Sequence, residues 1–301
     1  MQTQKCLLFY LLEKTKKTFY NKDMKQKLKT VFNKVLDFLV PPNIKCVFCG
    51  EEISHPNKFN ACDKCLKTLP YNNARICKIC GTKLTDEADI CLSCFYSPPP
   101  FTVARAPLLY ESPIPQLVYA IKFDNAKYLI KPLANFMLME YEKSGFDADV
   151  ILPIPLSETR LKQRGYNQAQ LLAEELGTSL NLPIDTTSIK RTKDTFAQAK
   201  LSWRERQKNV VDAFRIQNKK ALKDKVVLVV DDVMTTGATI KSFCHEVQKA
   251  RPKRILVLTL AHTYIDRIKT KNIKLLNRIK KRIKIILKEN IKKLKNKLKF
   301  K

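Results

Sequence analysis

No run of about 18 or more uncharged apolar residues occurs anywhere in the 301-residue chain, so a membrane-crossing helix is not expected. A secretory leader is not expected either. The short apolar run Cys6–Leu12 is ended by Glu13 and Lys14, and no small-residue cleavage site follows it. Acidic residues are scarce: 28 Asp and Glu stand against 57 Lys and Arg, for a net charge of +29. Most of that excess sits at the two ends, with net +7 over residues 1–45 and net +14 over residues 265–301. Basic ends suit a polyanionic partner, either nucleic acid or an anionic lipid surface, or simply reflect A/T-rich coding. Apolar residues make up 45% of the chain, which excludes wholesale disorder and allows one large domain or two smaller ones.

Four regions follow from the pattern. Residues 1–45 form a basic N-terminal extension with one amphipathic helix, its face set by Leu28, Val31, Phe32, Val35, Leu36 and Leu39 and its end by Pro41-Pro42. Met24 is an alternative start that would leave residues 1–23 as a spurious extension. Residues 46–96 are cysteine-rich with little apolar periodicity, and Ser97–Pro100 reads as a linker. Residues 101–264 alternate strand-like runs (150–154, 226–230, 255–260) with helix-like runs (167–180, 239–250), the order of a parallel α/β sheet. Residues 265–301 form a basic C-terminal helix or tail, either a real appendage or a low-complexity extension. It suits nucleic-acid backbones or an anionic surface, and apart from Phe300 it has no stacking groups.

Eight of the ten cysteines form two blocks of the same form: Cys46, Cys49, Cys62 and Cys65, then Cys77, Cys80, Cys91 and Cys94. Each C-x-x-C brings two thiolates to one metal through a tight turn, and a glycine follows each first pair. Four thiolates suit a closed structural Zn²⁺ site, with iron as the competitor. One zinc per block is expected, although spacing alone also permits pairing between blocks. A closed site folds a module and presents a surface; it leaves no open position for catalysis. Metal-binding cysteines without a leader point to the cytoplasm. Cys244 reads as a small buried residue, His55 as a spare ligand at most, and His245 and His262 as packing or surface residues.

The stretch Val226–Thr239 places two carboxylates, Asp231 and Asp232, at the end of a buried strand. A loop with Thr235, Thr236, Gly237 and Thr239 follows, and then a helix. In an open parallel sheet ligands bind beyond the strands' carboxyl ends, and a helix start favours phosphate. The carboxylates would accept from ribose hydroxyls, directly or through metal-bound water. Together these groups suit a sugar 5-phosphate with an accompanying Mg²⁺ complex. Arg160, Lys162 and Arg164 follow an earlier strand and would reach the same sheet edge, where guanidinium forks can hold a diphosphate. Gly165 favours a shaped loop there over a plain helix.

On these residues the chain resembles the type I phosphoribosyltransferases, whose phosphoribosyl pyrophosphate loop has the form seen at Asp231–Thr239. It is still more similar to the ComF/GntX family, which joins a double zinc ribbon to such a domain. The further matches are Arg160–Gln168 and the series Arg191, Thr195, Gln198, Leu201, Arg206, Asn209, Ala213 and Phe214. The resemblance implies a parallel sheet with helices on both faces, preceded by the ribbon module. It implies Asp231 and Asp232 on the ribose, Thr235, Thr236, Gly237, Ala238 and Thr239 on the 5-phosphate, and Arg160 and Arg164 on pyrophosphate. Arg191 would contact substrate or fix a lid over residues 191–209; Trp203 would stack or anchor that lid. A hood at 106–146 would meet the acceptor, but Lys122 and Tyr128 read as surface residues and no base-reading residue is evident.

The resemblance implies either a Mg²⁺-dependent phosphoribosyltransferase acting on a base or amine, or a DNA-uptake protein whose ribbons meet single-stranded DNA or a helicase. A nucleobase-salvage enzyme is the remaining alternative. Members of this fold that bind without turnover keep the enzyme assignment open.

Overall fold

The computed structural model describes residues 45–53, 57–84, 87–192 and 213–263. Cys6, the 28–39 segment, His55, the run from Thr195 to Asn209 and the basic segment 265–301 lie outside them. The chain divides into two compact units, Met1–Cys62 and Asp63–Lys301.

In the first unit the described residues form a knuckle. Lys45 bridges Glu52, the Cys46 amide donates to Glu51 O, and the Gly50 amide donates to Cys46 O.

The second unit runs α1 (Asp63–Thr68), α2 (Leu92–Tyr96), β1 (Val103–Arg105), β2 (Leu108–Leu109), α3 (Ile114–Phe123), α4 (Ile130–Lys143), β3 (Val150–Pro153), α5 (Glu158–Arg164), α6 (Gln168–Leu180), β4 (Ile189–Arg191), β5 (Phe214–Ile216), β6 (Val226–Met234), α7 (Ala238–Gln248) and β7 (Arg254–His262). Its main sheet is parallel, in the order β1-β7-β6-β3, with β2 also along β7. The all-apolar start of β6, Val226–Val230, is buried throughout, as a strand covered on both faces must be. Alternation gives each face its own partners. Val227 and Val229 share a core with Phe243, Cys244 and Val247 of α7, while α4 and α6 pack against the strands from the other side.

Two sequence expectations change here. Ser97–Pro100 does not set the second cysteine block apart, because Cys77, Cys80, Cys94 and Phe101 belong to the same core as Val227, Val229 and α7. The acid pair does not end its strand: β6 continues through Asp231 and Asp232 to Met234, because β7 keeps pairing with it, Asp231 opposite Thr259 and Met234 opposite His262.

β3 stops earlier, with Pro153 opposite Val230. Past Val230 the β3 side of β6 is therefore open, and this opening creates the cleft described below.

A small antiparallel pair, β4–β5, stands apart from the main sheet. Glu246 of α7 fastens it: its Oε1 accepts from the Ile216 amide at 2.9 Å and its Oε2 meets Lys249 Nζ at 2.5 Å. Burial pushes the Glu246 pKa up, but the Lys249 hydrogen bond and the Ile216 amide outweigh it and hold the carboxyl below its usual value. Its stabilisation is thus fully present above the ordinary glutamate range and lost as pH falls through the lowered value. Glu246→Ala is expected to cost about 1 kcal/mol at neutral pH by leaving the partly buried Ile216 amide without its acceptor. Thermal melts should show that difference from wild type shrinking below about pH 4.

Candidate functional site

Each cysteine block closes its own quartet. The sulfurs of Cys46, Cys49, Cys62 and Cys65 all lie within 4.8 Å of one another, and so do those of Cys77, Cys80, Cys91 and Cys94. Pairing between blocks is thereby excluded. The blocks repeat one local design. The Cys62 amide donates to Cys46 Sγ at 3.4 Å, and the Cys91 amide donates to Cys77 Sγ at 3.4 Å. Burial raises the Cys46 thiol pKa, but the amides of Cys62, Cys49 and Phe48 outweigh it and bring it to about 7. Cys77 is likewise brought to about 7 by the amides of Cys80, Cys91 and Ile79. Four sulfurs per site with amides aimed at them suit tetrahedral Zn²⁺.

The quartets differ in setting. Cys49 is exposed, whereas Cys77, Cys80 and Cys94 are buried. The second knuckle lies against the sheet edge: the Ala104 amide donates to Ile79 O at 2.7 Å, and Asn72 Nδ2 donates to Gly81 O at 3.0 Å. Gly81 has φ +70°, and a Cβ there would come within 2.7 Å of Ala104 O, so only glycine permits this approach.

A cleft of about 870 Å³ opens at the carboxyl end of the main sheet. Of the residues singled out from sequence, Arg160, Arg164, Arg191, Asp231, Asp232, Thr235, Gly237, Ala238 and Thr239 line it. Thr236 does not; its Oγ1 accepts from the Ala238 amide at 3.4 Å and steadies the entry to α7. Gly237 makes that entry in the left-handed region at φ +72°.

Arg160 and Arg164 stand on a short helix, α5, instead of the shaped loop expected from Gly165. The helix ends at that glycine, whose amide donates to Leu161 O at 2.8 Å. The segment that follows ties down its neighbours. The Tyr166 hydroxyl donates to Ile121 O, and Asn167 Nδ2 donates to Ile154 O at 3.0 Å while its Oδ1 caps α6. Arg164 Nη1 donates to Gln168 Oε1 at 3.1 Å, and its guanidinium lies 5.2 Å from the Phe123 ring centroid. Burial lowers the Arg164 pKa from its usual value. Arg191 lies 5.4 Å from the Phe214 ring centroid.

The acids divide along the strand. Asp231 is held well above the usual carboxylate range, by burial and then by the charge of Asp232. Burial acts on Asp232 in the same direction, but the Lys122 ammonium outweighs it and brings Asp232 below its usual value.

Lys122 lines the same cleft, although sequence reading placed it on the surface. It is not a surface lysine. From α3 it forms an ion pair with Asp232 Oδ2, their side chains 23% and 11% exposed. Its only advance signal was the position on an apolar helix between Ile121 and Phe123. Tyr128, read the same way, is exposed as expected. Cys244 is fully buried, as expected; His262 is buried, with Nδ1 2.9 Å from Thr263 O.

Parallel strands meeting at an acid-and-threonine cleft, together with two cysteine quartets, define a phosphoribosyltransferase-type domain joined to a double zinc ribbon. The phosphoribosyl transferase domain family matches residues 140–293, and the double zinc ribbon domain family matches residues 35–95. Competence protein F of Haemophilus influenzae is 30% identical over 227 residues, covering 73% of this chain and 97% of its own length. The DNA utilization protein YhgH of Shigella flexneri is 28% identical over 193 residues, covering 62% of this chain and 82% of its own. A solved purine phosphoribosyltransferase from Pyrococcus horikoshii aligns at 24% identity with a TM-score of 0.28, over 45% of this chain and 73% of that one. The chain belongs to the ComF family. Among the described residues no helix is long and apolar enough to cross a membrane.

The unequal settings of the quartets give a measurable difference. Cys94→Ser and Cys49→Ser are each expected to remove one zinc by metal analysis. Only Cys94→Ser should lower the melting temperature of the sheet domain, by at least about 5 °C. Equal shifts from both would contradict the shared core.

Proposed function

We propose that the cleft binds the Mg²⁺ complex of phosphoribosyl pyrophosphate and that the protein serves DNA uptake. The observation that carries the binding reading is the meeting of three groups in one cleft: Asp231 and Asp232, the Thr235–Thr239 turn into α7, and Arg160 with Arg164. In this reading the carboxylates accept from ribose hydroxyls. The turn and the start of α7 take the 5-phosphate, where a helix start and hydroxyls favour an anion. The arginines take the diphosphate, whose charge grows as it leaves. Any transfer would break the bond between ribose C1 and the diphosphate oxygen, form one from C1 to an acceptor nitrogen, and release that nitrogen's proton. This chain's part in it is to position charge, since carbocation-like transfer gains most from fixed electrostatics. The acceptor is left open, so the reading covers a transferase and a non-catalytic sensor alike.

The DNA-uptake reading rests on the names of two relatives, Competence protein F and DNA utilization protein YhgH. Within it, single-stranded DNA or a helicase is the proposed partner of the zinc ribbons, and the basic segment at 265–301 the proposed contact with polyanions.

Calorimetric titration of zinc-loaded protein with Mg²⁺–phosphoribosyl pyrophosphate is expected to show saturable binding. The Asp231→Ala/Asp232→Ala variant should weaken it at least about a hundredfold, since the charged acceptor Asp232 and the hydrogen-bonding group of Asp231 beside it are both lost. Unchanged binding would remove the site assignment. Cells carrying that variant should take up transforming DNA as poorly as cells lacking the protein; full transformation would separate the cleft from the uptake role.

A further inference from the structure

We propose that Lys122 is a positioning residue for the ribose end of the cleft: it reaches from α3 to the open stretch of β6 and fixes the Asp232 carboxylate as an acceptor for ribose hydroxyls. The inference rests on the phosphoribosyl reading above and adds to it a residue outside the segment, 140–293, that matches the phosphoribosyl transferase domain family.

Three observations carry it. First, Asp232 has its two oxygens divided between fixed partners: Oδ1 accepts from the Val233 amide at 2.8 Å, and Oδ2 meets the Lys122 ammonium. A carboxylate so little exposed would otherwise take up a proton and turn from acceptor into donor. Second, the last turn of α3 is held in place around Lys122. The Tyr166 hydroxyl binds the carbonyl of Ile121, and Arg164 stacks on the ring of Phe123, so the residues flanking Lys122 are fixed by the segment that also supplies the cleft's arginines. Third, the charges facing Lys122 are Asp232, Asp231 and Arg164. Its own charge is engaged by Asp232 through the contact, so the diphosphate is left to Arg160 and Arg164. Lys122 therefore acts on ribose through Asp232 and not directly on the leaving group.

This division of labour predicts a ligand-by-ligand pattern. Lys122→Met is expected to weaken both ribose 5-phosphate and Mg²⁺–phosphoribosyl pyrophosphate by about tenfold or more, the loss expected for a charged partner. It should leave Mg²⁺–pyrophosphate within about twofold of wild type. Because the two side chains act as one unit, Lys122→Met/Asp232→Asn should bind no more weakly than Asp232→Asn alone. Lys122→Gln, which keeps a hydrogen-bond donor at similar length, serves in the same titrations if the methionine variant melts early.

Weakening of Mg²⁺–pyrophosphate and Mg²⁺–phosphoribosyl pyrophosphate with ribose 5-phosphate unchanged would make Lys122 a diphosphate contact, and equal weakening of all three would make it a general structural residue; either would overturn the assignment. Additive losses in the double variant would do the same. Failure of wild type to bind any of the three would overturn the phosphoribosyl reading itself, and the assignment with it. Wild-type binding that Lys122 variants leave unchanged would overturn the assignment alone.

Discussion

A strand sealed on both faces cannot carry two carboxylates unless something opens beside them, and most of the site follows from how β6 meets this demand. Its first five residues are apolar, and Val227–Val230 are paired on both edges, to β3 and to β7. β3 then stops at Pro153 while β7 runs on, so the carboxylates fall where one edge is free and the other is still held. The acids are thus rigid, because a ladder fixes their backbone, and reachable, because one neighbour is missing. Burying unpaired charge would be costly, and the molecule answers it unevenly. Asp232 keeps its charge against a lysine, while the charge on Asp231 is disfavoured. Two adjacent residues of one type are given different protonation behaviour by strand alternation and by a lysine from one helix that makes its ion pair with Asp232.

The second ribbon is less a separate module than a corner of the sheet domain. Its knuckle supplies hydrogen bonds and apolar surface to the edge strand, and its cysteines stand among the residues that cover one face of β6. A small cysteine-rich segment lacks the apolar mass to fold alone. Here the metal provides local order and the sheet provides burial.

The sequence displayed much of this openly. The strand and helix centres fell where periodicity indicated, since a buried strand needs an unbroken apolar run and α6 needs its face of Ala169, Leu172, Ala173 and Leu176. The cysteine spacing predicted quartets because ligand geometry is local. What escaped was set by distance along the chain. That β6 continues through its acids depends on β7, and no local propensity carries it. That Lys122 is inside the site depends on an aspartate 110 positions away. A lysine on a helix is usually solvated, and only the tertiary fold brings a carboxylate to it. The Pro-rich segment at 97–100 misled for the converse reason: turn residues mark where the chain bends, not where a core ends.

The strand order has a consequence for how the chain comes into being. β7 is the last of the described strands to be made, yet it stands inside the sheet with β1 and β2 on one side and β6 on the other. β1 leaves the ribosome ahead of β7 and must wait some 150 residues for this pairing partner, from Val103 to Leu256. Sheets closed by such distant contacts form late and slowly. An interrupted message that ends before residue 254 would therefore yield not a smaller working protein but a chain with its central place empty and apolar edges bare on both sides. Such a product would be recognised by quality control as unfinished, so the order of strands makes completeness of synthesis a condition of the cleft's existence.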